Sequence, residues 1–355
     1  MILWMNICII FLEIEMINMI KKYTISKDKK YYRAFTDLIE INGRLICAFA
    51  EMNKENEEYN ICYCESHDNG ESWSERKILQ SKLSDCGRWD CPRLCKMKDG
   101  NIILLSTWYL NGDKTKKDSY VYMWNFDERF NYINGPIKTT INGIVPDKIT
   151  ELDDRWITST HENNNGKRET YLYTSYDKGN TWIKSLLAKS DIYDVCETSI
   201  IALDNNILVA LMRENSHQGI DCLKSISYDK GETWSDIHKM PISACHRPVI
   251  SKLNSGNYLI TYRFDYANFV GTGIHGNIFM GCICTKDDLL ETNRDKIVSK
   301  IFPIDYDRNI NSNCGYSGQV ELDDGTIYVT SHIVDDNHVG QIRGYRFREK
   351  DLITM

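Results

Sequence analysis

The chain has 355 residues, 42% of them hydrophobic and 11% aromatic, and a formal net charge of −7 at pH 7. This composition predicts a globular protein with a sizeable core and excludes a disordered chain. The negative charge argues against nucleic acid as a partner, because neutralising phosphates requires a basic surface.

The first segment, residues 1–20, is an apolar extension that precedes the predicted domain. It has no basic start and no small-residue cleavage site, and Glu13 and Glu15 interrupt it. The segment therefore favours neither a signal peptide nor a membrane span. Met19 is an alternative translation start.

Thirteen scattered cysteines without a CxxC pair favour buried, reduced thiols and a cytoplasmic location.

A repeated unit covers residues 21–355 and predicts one domain there. Each copy has an apolar strand, a tight turn and a second apolar strand. The turns lie at Gly43, Gly100, Asp154, Asn205, Gly256 and Gly325. Gly, Asn and Asp readily adopt the positive φ of tight hairpins, and the spacing fits four strands a unit. The sequence thus predicts an all-β, six-bladed β-propeller of four-stranded antiparallel blades, with Lys22–Ile25 completing the last blade.

A second motif, Ser-x-Asp-x-Gly-x-Ser/Thr-Trp, occurs at Ser66–Trp73, Ser175–Trp182 and Ser227–Trp234. Its Asp can accept backbone N–H bonds across the turn, its Gly adopts positive φ, and its Trp packs beneath the hairpin. This is the Asp-box, or BNR repeat, and from about Tyr23 onward the chain resembles the sialidase (neuraminidase) superfamily. Degenerate copies are predicted near Trp124–Asp127 and Thr285–Asp288. We expect these motifs to serve folding.

Polar residues precede each predicted turn, where the inner strands of a propeller converge on its axis. They are Arg33, Asp37, Asp90, Arg93, Asp147, Lys148, Glu197, His246, Arg247 and Tyr316. Arginines that face one cavity repel each other unless an anion compensates. The set therefore predicts a pocket for a ligand that carries a carboxylate.

The resemblance to sialidases implies roles for particular residues. That family uses a tyrosine nucleophile paired with a glutamate, an aspartate as acid/base, and three arginines that hold the substrate carboxylate. By position, Tyr316 resembles the nucleophile and Glu197 its base. Glu55 stands where the acid is expected, since the loop 51–59 has no aspartate. The resemblance implies a carboxylate clamp of Arg33, Arg213 and Arg247.

Some features differ from the family pattern. The chain has Arg33-Ala34-Phe35 in place of Arg-Ile-Pro. The additional polar residues, which we also expect to contact the substrate, are Arg93, Asp37, Asp147, Lys148 and His246. His161 is a further polar residue outside the sialidase set.

We therefore predict a sialidase-like retaining exo-glycosidase that hydrolyses a terminal acidic sugar without a metal or organic cofactor. Its expected partner is a small molecule or an oligosaccharide, with neither nucleic acid nor membrane. Two alternatives remain open. One is a propeller glycosidase or lyase for another sugar, in which Asp147, Arg93 or His246 transfers protons. The other is a carbohydrate-binding propeller without catalysis.

Overall fold

Six four-stranded antiparallel sheets follow one another around a central axis in the computed structural model, which describes residues 20–113, 115–265 and 276–352. The predicted N-terminal extension lies outside the described residues, apart from Ile20. The sheets agree with the six predicted repeats, and the prediction of a six-bladed propeller with four-stranded blades is confirmed.

Strands are numbered along the chain, and each blade is given from its inner strand outward. Blade 1 consists of β2 (Tyr32–Ile41), β3 (Arg44–Asn53), β4 (Glu58–Ser66) and β5 (Lys77–Gln80). Blade 2 consists of β6 (Gly87–Lys96), β7 (Ile102–Leu110), β8 (Tyr120–Phe126) and β9 (Tyr132–Asn142). Blade 3 consists of β10 (Thr150–Glu151), β11 (Trp156–Asn164), β12 (Lys167–Ser175) and β13 (Ile183–Ala188). Blade 4 consists of β14 (Val195–Ala202), β15 (Leu208–Glu214), β16 (Asp221–Ser227) and β17 (His238–Ser243). Blade 5 consists of β18 (Cys245–Lys252), β19 (Tyr258–Asp265), β20 (Asn277–Cys284) and β21 (Lys300–Tyr306). Blade 6 consists of β22 (Gly315–Glu321), β23 (Thr326–Ile333), β24 (Gln341–Arg348) and β1 (Lys21–Ser26).

The last blade contains strands from both ends of the described chain. Strand β1 pairs antiparallel with β24, in a register that joins Lys21 to Arg346 and Tyr23 to Gly344. This confirms the predicted pairing of the two ends. The pairing closes the ring, because β24 would otherwise have an unpaired edge.

The core lies between the blades. Six clusters of buried apolar side chains each join two neighbouring blades, including the pair formed by blades 6 and 1. Because both faces of a blade are covered, its central strands are apolar along nearly their whole length. Strand β15, for example, is buried at every position.

The three Asp-boxes form nearly identical turns between the third and fourth strands of blades 1, 3 and 4. In the first, Asp68 Oδ1 accepts the Ser72 N–H at 2.9 Å and the Ser66 hydroxyl at 2.8 Å. The Trp73 indole N–H donates to the carbonyl of Gly70. These contacts agree with the predicted folding role of the motif.

The degenerate motif at Thr285–Asp288 has a different structure. It caps a short helix, α1 (Lys286–Leu290), because Thr285 accepts the Asp288 N–H and Asp288 accepts the Thr285 N–H. This reciprocal pair is a capping box. A second short helix, α2 (Glu349–Leu352), follows β24, and short 3-10 helices span Arg294–Lys296 and Asp335–Asn337.

The cysteines in the described ranges are free thiols, and all except Cys86 are buried. This agrees with the expectation of buried, reduced thiols. None of the helices in the described part of the chain has the length and hydropathy needed to cross a bilayer.

Candidate active site

The inner strands of five blades are interrupted by a bulge near their start, and in blade 3 the same irregular step lies before β10, between Ile144 and Asp147. In blade 1, Ala34 pairs with Ala50 and Asp37 with Ala48, so β2 has one extra residue. The first bulged residue has positive φ, which is uncommon outside glycine. The six equivalent residues are Phe35, Cys91, Val145, Glu197, Arg247 and Tyr316.

A second set of equivalent positions lies on the adjacent strand, opposite the residue before each bulge. Cys196 pairs with Arg213 in this way, and His246 pairs with Arg263. The six positions are Ala50, Thr107, His161, Arg213, Arg263 and His332. The bulges and these facing positions supply the side chains at the centre of the site.

Glu197 and Tyr316 meet across the axis from blades 4 and 6. The Tyr316 hydroxyl donates to Glu197 Oε1 at 2.5 Å. Arg213 Nη1 donates to both oxygens of the same carboxylate, at 3.1 and 3.0 Å. Three of the residues that the sequence assigns to the site therefore form one hydrogen-bonded group.

Burial and charge determine the protonation of this group. Burial would raise the pKa of Glu197, but the Arg213 guanidinium, with His161, Arg263 and the Tyr316 hydroxyl, outweighs burial and holds that pKa below its usual range. Burial, followed by the Glu197 charge, raises the pKa of Tyr316 well above 10. At neutral pH the pair is therefore a carboxylate and a neutral phenol.

Arg263 is a site residue that the sequence analysis missed. Its guanidinium carbon lies 5.4 Å from the centre of the Tyr316 ring, and its Nη1 donates to Asn313 Oδ1 at 3.0 Å. The sequence does contain a signal for it. Arg263 follows the turn residue Gly256 by the same seven residues that separate Ala50 from Gly43.

Glu197 and Arg213 line a small cavity of about 260 Å³. A second cavity, of about 760 Å³, lies next to them beside Phe35, whose ring contacts that of Tyr316. Its lining includes Tyr32, Phe35, Glu55, Arg88 and Asp90. Burial raises the pKa of Asp90, which also accepts a hydrogen bond from Cys91. Glu55 is exposed on the loop between β3 and β4. The cavity thus has two carboxyl groups in different environments.

Arg33 is not among the residues that line this cavity. Its Nε donates to Glu51 at 2.9 Å and its Nη1 to Ser26 at 2.9 Å, and Asp28 lies 3.7 Å away. Neighbouring side chains on a strand point to opposite faces. Because Tyr32 points into the cavity, Arg33 points away from it.

Arg93, Asp37 and the half-buried Lys148 form a cluster that joins neighbouring blades. The Asp37 carboxylate accepts the Leu94 N–H at 2.7 Å, and Lys148 Nζ lies 3.1 Å from it. Arg93 donates to the carbonyl of Ser317. These three predicted substrate contacts therefore have partners within the protein.

Arg247 and Asp147 form a similar cluster. Arg247 donates to the carbonyls of Thr198 and Pro146, at 3.2 and 3.3 Å, and lies 3.6 Å from Asp147. Asp147 also accepts the Ile200 N–H at 2.7 Å. Arg247 is only 1% exposed, so its guanidinium binds the protein interior.

His246 is buried beside the site, with Nδ1 3.3 Å from Asp265 Oδ2. Burial, followed by the charges of Arg213 and Arg263, lowers the pKa of His246 to about 2. His161 lies on the other side of Glu197, where its Nδ1 accepts the Glu197 N–H. Burial lowers the pKa of His161 to about 4.

The fold resembles that of several solved structures. A Dyadobacter fermentans protein of unknown function has 18% identity and a TM-score of 0.75, over 93% of this chain and 98% of that one. The Hadza microbial sialidase Hz136 has 15% identity and a TM-score of 0.66, over 90% and 66%. The Trypanosoma rangeli sialidase has 14% identity and a TM-score of 0.63, over 92% and 56%. At these identities the likeness concerns the fold.

A comparison with curated protein sequences gave no match. The sequence profile of a BNR repeat-like domain matches residues 43–262, more than half of the chain. The matched range contains all three Asp-boxes. The chain therefore belongs to the BNR repeat-like domain family, and its propeller fold is similar to that of solved sialidases.

Proposed function

We propose that the protein is a retaining exo-glycosidase that releases a terminal sugar bearing a carboxylate, such as sialic acid. The observation that carries this proposal is the hydrogen bond from Tyr316 to Glu197, with Arg213 on both carboxylate oxygens. A tyrosine with an adjacent base is a known alternative to a carboxylate nucleophile. At an anionic sugar, a neutral phenol avoids the repulsion that a second carboxylate would meet.

In the first step, Tyr316 Oη attacks the anomeric carbon while its proton passes to Glu197. The bond to the leaving oxygen breaks, and that oxygen takes a proton from a general acid. In the second step, water attacks the same carbon and gives its proton to the conjugate base of that acid. The bond to Tyr316 breaks, and Glu197 returns the phenolic proton. Two displacements retain the anomeric configuration.

We assign the general acid to Asp90. A general acid must keep its proton until the leaving oxygen needs it, which requires a raised carboxyl pKa. Burial raises the pKa of Asp90 in this way. Glu55, the acid expected from the sequence, lines the same cavity but is exposed.

The carboxylate clamp in this proposal consists of Arg213 and Arg263. Both lie at the facing positions, in blades 4 and 5, and Arg263 lies over the Tyr316 ring. Arg33 and Arg247 are left out, because protein carboxylates and carbonyls hold their guanidinium groups. In Arg213 and Arg263, by contrast, the Nε has no hydrogen-bond partner among the described residues. A planar guanidinium suits a sugar carboxylate, since it can donate two parallel hydrogen bonds.

The test is release of 4-methylumbelliferone from its α-sialoside by the wild type, Tyr316→Phe and Tyr228→Phe. Tyr228 is an exposed tyrosine in an Asp-box, so its variant controls for the loss of a hydroxyl. We expect the Tyr316 variant to lose about 10³-fold or more in kcat and the control to match the wild type. NMR of the first sugar released gives its anomeric configuration.

Two results would contradict the proposal. One is an inverted first product, which is incompatible with a covalent intermediate on Tyr316. The other is a folded wild type, verified by circular dichroism, that fails to cleave any α-linked acidic sugar in a panel of such glycosides.

A further inference from the structure

Three side chains capable of binding a metal lie together at the seam between blades 4 and 5. His217 lies between β15 and β16, His246 is on β18, and Asp265 ends β19. One ligand atom from each residue lies within 4.8 Å of the others. The proposed glycosidase reaction uses none of these three residues.

The separations between these groups fit a single ion. His217 Nδ1 makes a hydrogen bond with Asp265 Oδ2 at 2.9 Å, and His246 Nδ1 lies 3.3 Å from the same oxygen. Two ligands about 2.0–2.1 Å from zinc are about 2.9 Å apart at a right angle and about 3.4 Å apart at the tetrahedral angle. The two imidazole rings meet edge to face, with centroids 5.0 Å apart. Imidazoles on one zinc ion would have centroids about 4.5–5.2 Å apart.

The arrangement around His246 supports a cation more than a hydrogen bond. Its Nδ1 makes no hydrogen bond of acceptable geometry among the described residues, although Asp265 Oδ2 is near. In the tautomer that carries its proton on Nε2, the Nδ1 lone pair of His246 faces this carboxylate oxygen and repels it, whereas a cation between them attracts both. His246 is 2% exposed, so bulk water cannot relieve this repulsion.

Access and charge also permit an ion here. The His217 side chain is 43% exposed, which gives the cluster an entry path from solvent. The guanidinium groups of Arg213 and Arg263 act against a cation, while Glu197 acts in its favour. Asp265 adds a second carboxylate, so the surrounding charges approximately cancel.

We propose that His217, His246 and Asp265 bind one divalent transition-metal ion, with zinc as the best match to two imidazoles and a carboxylate. Three protein ligands leave a fourth position for water or for an oxygen of a bound ligand. The ion links the His217 segment of blade 4 to strands β18 and β19 of blade 5, beside Arg263. This differs from the expectation, based on sequence alone, of no metal site.

The test measures zinc binding directly and does not depend on enzymatic activity. Chelator-treated protein is equilibrated with zinc, passed through gel filtration and analysed by mass spectrometry for bound metal, and its affinity is measured by calorimetry. We expect one zinc per chain and at least about 100-fold weaker binding in His217→Ala and Asp265→Asn. His67→Ala, which changes an exposed histidine in the first Asp-box, should bind zinc like the wild type.

Cobalt gives an independent readout. Bound Co²⁺ in the wild type should produce the visible absorption of a four- or five-coordinate nitrogen and oxygen site, and His217→Ala should lose it. The proposal is overturned if the wild type retains less than about one tenth of an equivalent of zinc. Equal affinity in the wild type and in His217→Ala, with both proteins folded, would also overturn it.

Discussion

The Asp-box turns and the bulges at the axis both repeat around the propeller, but different properties are repeated. In the turns, the side chains repeat together with their hydrogen bonds, as in Asp68, Asp177 and Asp229. In the bulges only the backbone conformation repeats, and all six residues differ. The comparison teaches that side chains repeat where they build the backbone, and vary where the repeated backbone conformation does not depend on them.

The largest effect should come from Asp90→Asn, in the cavity of about 760 Å³. If Asp90 is the acid, kcat on a sialoside with a sugar leaving group should fall about 10² to 10⁴-fold. The loss should be much smaller for 4-methylumbelliferone, because this leaving group needs little protonation. Glu55→Gln is the matched control, since it alters the other carboxyl group in the cavity and should change kcat little. A larger loss of kcat in Glu55→Gln than in Asp90→Asn would identify Glu55 as the acid.

A smaller effect on activity, but a clear effect on stability, should come from the Asp-box. A Cβ at Gly70 would lie 2.0 Å from the Tyr328 ring, whereas a Cβ at Gly43 would meet nothing within 4 Å. Both glycines have positive φ, so both alanine variants incur the free-energy cost of a non-glycine residue in that conformation. Gly70→Ala should lose about 1–3 kcal/mol more in the free energy of unfolding than Gly43→Ala, because of overpacking. Urea denaturation measures this difference, and equal losses would show that the contact is relieved without cost.

The smallest effect concerns buried histidines at the facing positions. Burial lowers the pKa of His161 to about 4 and, with Arg263, that of His332 to about 3. Between pH 6.5 and 5 the unfolded chain gains protons on these residues and the folded chain does not. As the pH is lowered, the free energy of unfolding should therefore decrease by up to about 1.4 kcal/mol per pH unit for each histidine.

His332→Gln should reduce that slope, and His67→Gln, at an exposed histidine, should leave it unchanged. Denaturant titrations at several pH values provide the measurement. A slope that is the same in the wild type and in His332→Gln would mean that His332 is protonated in the folded protein.

The sequence predicts the fold well because its repeats have local causes. Tight turns need Gly, Asn or Asp, and the Asp-box needs its own side chains, so both are visible as residue types. The sequence predicts that Glu197, Arg213 and Tyr316 belong to one site, and the three residues lie together. The family motif and the position relative to the turns were sufficient for these three.

The remaining site residues depend on strand register and on side-chain direction. The sequence predicts Arg247 as a substrate contact because it precedes a turn, but the carbonyls of Thr198 and Pro146 hold its guanidinium in the interior. Arg263 is on the next strand and becomes visible only once the pairing with His246 is known. The sequence also does not show which face of its strand Arg33 occupies, because a shift of one residue along a strand reverses the face that a side chain occupies.

The six bulges have an evolutionary consequence. A non-glycine residue with positive φ costs roughly 1–2 kcal/mol, and the ladder on both sides of each bulge maintains that conformation whatever the side chain. A single substitution at one of these positions can then change the pocket chemistry without requiring a new backbone. Descendants of such a ring can exchange substrates by point mutation, provided that the packing between blades retains enough stability to tolerate the strain.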